Sequence, residues 1–114
     1  MRARGGRAPL SALEAKRAFK SELQRWAERI QVRPRRVQIQ PMTRKWASCS
    51  HSGRLCFAAD LLSQSAHFRE VVIVHELVHL IVPNHGKLFK SMMRAYVPGW
   101  EDTLREHSSG KAIC

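Results

Sequence analysis

Acids, cysteines and long apolar runs are all scarce in this chain, and each scarcity closes off a class of protein. Three cysteines, Cys49, Cys56 and Cys114, are too few and odd in number for a disulfide framework and point to a reducing, cytoplasmic compartment. No apolar stretch reaches the roughly 20 residues of a transmembrane helix. The basic N-terminus MRARGGRAPL also lacks the apolar stretch that follows in a secretory signal. Acids number 9 against 20 Lys and Arg, for a formal net charge of +11. That excess sits entirely in residues 1–54, which hold 14 Lys/Arg and 3 Glu, whereas residues 55–114 balance 6 against 6. Such a half permits nucleic acid as an alternative partner, or else forms a solvated face that keeps the protein soluble. No array of stacking aromatics accompanies it.

What remains is enough for one small core: 114 residues, 44% hydrophobic. Residues 1–9 read as a flexible basic leader, 10–107 as a single domain and 108–114 (SSGKAIC) as a flexible tail. Ser11-x-x-Glu14 is a capping-box pattern that opens a helix over 11–31, with Ala12, Ala15, Phe19, Leu23, Trp26 and Ile30 on one face. Val37–Gln40 alternates like a strand, and Lys45–Ser50 with Leu55–Phe57 reads as a hairpin turning through His51-Ser52-Gly53. Helices follow over 66–82, 87–96 and 100–107. The order predicts a minimal α+β domain: a small, mostly antiparallel sheet packed with the N-terminal helix and the helix over 66–82.

Inside that helix stands His75-Glu76-Leu77-Val78-His79, followed six residues later by His85. Residues four apart share a helix face, so both imidazoles can address one metal ion. Glu76, beside the first of them, is placed to activate a water rather than to bind the ion. The flanking sequence VVIVHELVHLIV is otherwise apolar and belongs in a core, where idle polar groups are costly. Along an unbroken helix the ten residues from His75 to His85 turn through about 1000°, which would point His85 away from the pair. Pro83, Asn84 and Gly86 break the helix where His85 must swing back. The set His75, His79 and His85 then predicts one Zn2+ per chain with an open position, as catalytic zinc requires. A downstream glutamate, Glu101 or Glu106, is the alternative third ligand, as in gluzincins. Cys49 and Cys56 with His51 offer a second candidate metal site; small buried hairpin residues are the preferred reading.

The segments TRKWASCSHSGRLCFAADLL and FREVVIVHELVHLIVPNHGKLFKSMMRAYVPGW resemble the YgjP-like zinc metallopeptidase domain, zincin-like in fold and akin to SprT-like and WLM proteases. The matching positions are Trp46, Ser48, Cys49, Ser50, Gly53, Leu55, Leu61, His75, Glu76, His79, Asn84, His85 and Phe89, across about residues 39–104. Ala47, Ala58 and Lys90 depart from the pattern, where Gly, Asn and Trp are usual; none is a metal-motif position. With the residue chemistry, the resemblance implies hydrolysis of peptide bonds in a peptide or unfolded protein, with Glu76 as general base. A nucleic-acid-associated protease or binding module and a catalytically silent zinc protein are the alternatives. Tyr96, His67, His107 or a backbone N–H can serve as the carbonyl-polarising donor. The Trp46–Ser50 or Leu55–Phe57 strand would form the rim on which an extended substrate adds.

Overall fold

Ser11 starts the first helix by the reciprocal pattern its sequence predicts. Its hydroxyl accepts from Glu14 N–H at 3.1 Å, and the Glu14 carboxylate accepts from Ser11 N–H at 3.0 Å. The helix, α1 (Ala12–Ile30), ends at Gln31 in the left-handed region. Phe19, Leu23, Ala27 and Ile30 are buried, while Leu13 in the first turn is 58% exposed, so α1 meets the core only from Phe19 onward. The computed structural model describes residues 11–113; the predicted leader, residues 1–9, lies outside the described residues.

Three strands follow: β1 (Arg36–Gln40), β2 (Lys45–Cys49) and β3 (Arg54–Ala58). A 3-10 turn over Ala59–Ser63 leads to α2 (Ala66–His79), α3 (Lys87–Tyr96), α4 (Trp100–His107) and a two-residue strand β4 (Ala112–Ile113). The class is α+β as expected, but the sheet is mixed rather than mostly antiparallel. Its order is β1-β3-β2-β4, with β1 and β3 parallel, β3 and β2 antiparallel, and β2 and β4 parallel. The reason is burial. Leu55 and Phe57 make β3 the most apolar strand, so the hairpin arm folds inward between β2 and the half-exposed β1. With β3 internal, Leu55–Phe57 has no edge on which a substrate strand could add, and β2 lies between β3 and β4, so of the two strands considered only the end of β2 beyond its Lys45–Ala47 pairing with β4 keeps an open edge.

Residues 108–113, expected as a tail, return to the sheet. Trp46 Nε1–H donates to the Ser108 carbonyl at 2.8 Å, and Ala112 N–H donates to Arg44 O at 2.8 Å. The Lys111 ammonium lies 4.2 Å from the centre of the Trp46 ring, donates to Met42 O and pairs with Asp60 at 2.8 Å. β4 thereby covers the outer edge of β2 along Lys45–Ala47.

The second helix is the centre of the molecule. Ser65 caps it, its hydroxyl accepting from Phe68 N–H at 3.3 Å. Packed among α1, α3, α4 and β2, it has every side chain from Val71 to His79 buried. No helix of the described residues is long and apolar enough to cross a membrane.

Candidate metal centre

His75 and His79 share one face of α2, one turn apart, with ring centres 4.9 Å apart. The helix ends at His79, three residues before the predicted boundary, because Ile81 and Val82 N–H both turn back onto Val78 O. Beyond Pro83, the Asn84 side-chain carbonyl accepts from Gly86 N–H at 3.0 Å and closes a tight turn. That turn brings the exposed His85 back over the two buried histidines. Its Nε2 lies 2.9 Å from His79 Nε2, and one ligand atom from each of the three imidazoles falls within 4.8 Å of the others. Nitrogens sharing a tetrahedral zinc stand about 3.3 Å apart, as Zn–N bonds of about 2.0–2.1 Å require. The donor set fits a borderline metal.

A carbonyl can only accept, so the 3.2 Å contact between His79 Nδ1 and Val82 O puts the ring proton on Nδ1. Nε2 is left with its lone pair directed toward His85, the tautomer a metal ligand needs. Burial, and then the charge of His85, lower the His75 pKa to about 3, so this ring is neutral at ordinary pH. Glu76 is fully buried, and burial pushes its carboxyl up to about 8 against the opposing pull of His79, His85 and Lys45. Although His75 Nδ1 and Glu76 Oε2 lie 3.4 Å apart, both groups are therefore driven toward neutrality, and the contact is not an ion pair. Nor does it have hydrogen-bond geometry. His75 Nδ1 and both Glu76 oxygens are buried without a hydrogen-bond partner among the described residues. Three such orphans together, each costing about 1–3 kcal/mol, are out of place in a core unless something else occupies the site. A metal with its water is the kind of group that this cluster fits.

The floor of the site is aromatic. Phe89, fully buried in the first turn of α3, stacks on His79 at 4.6 Å and meets His75 and His85 edge-on at 4.9 Å. Trp100, opening α4, lies 6.0 Å from His75 and 6.2 Å from Phe89. The family resemblance includes Phe89 but gives no role to it or to Trp100. No local signal could do so, because both reach the histidines only through the α2–α3–α4 arrangement.

The other candidates lie elsewhere. Glu101 and Glu106 are exposed on α4 and form no ligand group with the histidines. Cys49 is in register with Leu55, whereas Cys56 pairs with Ser48. Alternate residues face opposite ways, so the two cysteines lie on opposite faces of the sheet and do not form a shared site. Tyr96 packs edge-on against Trp26 at 6.3 Å, His107 Nδ1–H donates to Thr103 O at 3.0 Å, and His67 lies beside Glu70 at 3.4 Å. None of these contacts involves the histidine cluster.

An α+β fold with three converging imidazoles and a buried carboxyl defines a class, that of the small metallopeptidases. Its fold is shared by solved structures, two of which are metallopeptidase zymogens. One is the metallopeptidase zymogen abylysin of Pyrococcus abyssi, with a TM-score of 0.74 at 16% identity, covering 84% of this chain and 99% of that one. The other is the metallopeptidase zymogen jannalysin of Methanocaldococcus jannaschii, with a TM-score of 0.63 at 24% identity, covering 68% of this chain and 80% of that one. No curated relative matches the sequence. The family model of the YgjP-like metallopeptidase domain matches residues 9–107, and the chain belongs to that family. It is thus a metallopeptidase, a hydrolase.

Proposed function

We propose that His75, His79 and His85 hold one zinc ion and that Glu76 is the general base for peptide-bond hydrolysis in peptide or unfolded-protein substrates. The observation that carries this reading is the convergence of three imidazole ligand atoms within 4.8 Å beside a carboxyl that is buried and otherwise unpartnered. When bound, zinc supplies Lewis acidity for attack by water at neutral pH. His79 holds its lone pair toward the ion through the Val82 carbonyl. Beside a bound cation Glu76 would be ionised despite its burial, and it would take a proton from the attacking water and deliver it to the leaving amine. Phe89 and Trp100 exclude bulk solvent from the buried side of the cluster, which strengthens each polar interaction within it.

The test is Glu76→Gln beside His85→Ala, each assayed for bound zinc and for cleavage of an unfolded protein. Glu76→Gln should keep one zinc per chain and lose activity by about 100-fold or more. His85→Ala should weaken zinc binding strongly, with little change in fold because the side chain is exposed. Activity persisting in zinc-loaded Glu76→Gln would remove the general base from the reading. Unchanged zinc affinity in His85→Ala would remove the third ligand.

A further inference from the structure

A cleft of about 610 Å³ opens beside His79 and runs to the β2–β3 turn. Its volume is that of a site for a small ligand or a few peptide side chains. Its polar lining is basic and hydroxylic, from Arg33, Arg35, Ser50, His51 and Ser52. No acid lines it, and neither arginine takes part in an ion pair among the described residues. Arg35 is tied to the β2–β3 turn through its backbone. Its backbone N–H donates to Gly53 O at 2.9 Å, and its side-chain stem lies 3.4 Å from where a Cβ at residue 53 would stand. Gly53, at φ +88°, supplies the left-handed residue of that turn.

We infer that this cleft is a substrate subsite for a carboxylate, on the peptide that the metallopeptidase reading places at His79. Arg33 and Arg35 are specificity-determining residues. Planar guanidinium groups match a carboxylate with paired hydrogen bonds, and the Ser50 and Ser52 hydroxyls, 3.0 Å apart and bonded to each other, keep one proton between them to donate. The carboxylate is either an Asp or Glu side chain near the scissile bond or the free C-terminus of the substrate. A nucleic-acid strand fits less well, because among the described residues no Phe, Tyr or Trp lines the cleft to stack a base.

The inference rests on the proposed hydrolysis, and the experiment separates the two. Zinc-loaded full-length protein is assayed on matched quenched peptides: Glu or Asp scanned along the peptide against Gln or Asn, and a free against an amidated C-terminus. Peptide binding to zinc-loaded Glu76→Gln is measured in parallel by fluorescence anisotropy. The acidic peptide should be favoured about tenfold in kcat/KM and in affinity, with the preference shrinking as salt rises. The scan and the amidated arm show which carboxylate is read. In Arg33→Gln/Arg35→Gln the preference should collapse to parity. Arg33→Glu/Arg35→Glu should instead favour a Lys-bearing peptide, a gain that an unfolded variant could not show. Acidic preference in binding without any cleavage by wild type would sink the hydrolysis and leave the subsite standing. Cleavage without acidic preference, or a preference that survives the double variant, overturns the subsite. A single-stranded oligonucleotide that binds through the same arginines at physiological salt, where acidic peptide does not, overturns it in favour of nucleic acid.

Discussion

A carboxyl group with no exposed surface and no hydrogen-bond partner among the described residues works against the fold that carries it. Glu76 is such a group, and the proposed hydrolysis accounts for its presence. Replacing it by Leu should raise the stability of the metal-free protein by about 1–3 kcal/mol while abolishing hydrolysis. Urea unfolding of the two apo proteins checks this, and a less stable Glu76→Leu would show that the carboxyl has a structural partner after all. At this scale the sequence was informative wherever the geometry is local. Four-residue spacing on a helix places His75 and His79 together without knowledge of the rest of the chain. Phe89 and Trp100 were illegible as neighbours of the site, because their contacts with His75 cross between helices.

Among elements, the segment between α2 and α3 decides where His85 stands. Pro83, Asn84 and Gly86 announce a break, and the fold puts one there. The earlier end at His79 depends on N–H groups doubling back onto Val78, which the apolar run through Val82 conceals. A methyl group on residue 86 would lie 2.9 Å from Asn84 Oδ1, closer than real contacts allow. Gly86→Ala should therefore displace the turn and weaken zinc binding about tenfold, while global stability changes by less than about 1 kcal/mol. Calorimetric titration with zinc measures this; unchanged affinity would mean that the turn does not hold His85. Strand order was the larger surprise. Val37–Gln40 and the hairpin are each readable from alternation, but the insertion of β3 between β1 and β2 is not, since pairing partners leave no mark on local periodicity. The return of residues 108–113 was hidden for the same reason. A Ser-Gly-Lys segment looks like a tail until Lys111 meets the Trp46 ring and Asp60 far away in sequence. Deleting residues 108–114 should cost about 1–3 kcal/mol in urea unfolding, mostly from the orphaned Trp46 N–H and the lost cation–π contact. The exposed Asp60 adds little.

For the molecule as a whole, metal and fold are linked. An ion that binds only the native chain raises its stability with concentration, by about 4 kcal/mol at a thousandfold excess over Kd. Chelation should therefore lower the melting temperature by several degrees and restoring zinc should return it, as followed by circular dichroism. A melting curve indifferent to chelator and zinc would argue against a site in this core. Along the sequence, the +11 charge lies in the first 54 residues and the histidine cluster in the balanced half that follows. That division was fully legible in composition, whereas the basic cleft beside His79 was not: Arg33 and Arg35 join it only because the chain after α1 folds against the β2–β3 turn.

The continuous burial of α2 from Val71 to His79 has a consequence for how such a small domain can vary. Core and reactive groups occupy the same nine positions, so a randomised library across them would record folding and activity as one phenotype at most sites. Val and Leu positions would fail both screens together. Position 76 is where the two should part, with the most robust sequences expected among the inactive ones. In a protein this size, inherited change in substrate preference has freer passage through the arginines and turns around the helix than through the helix itself.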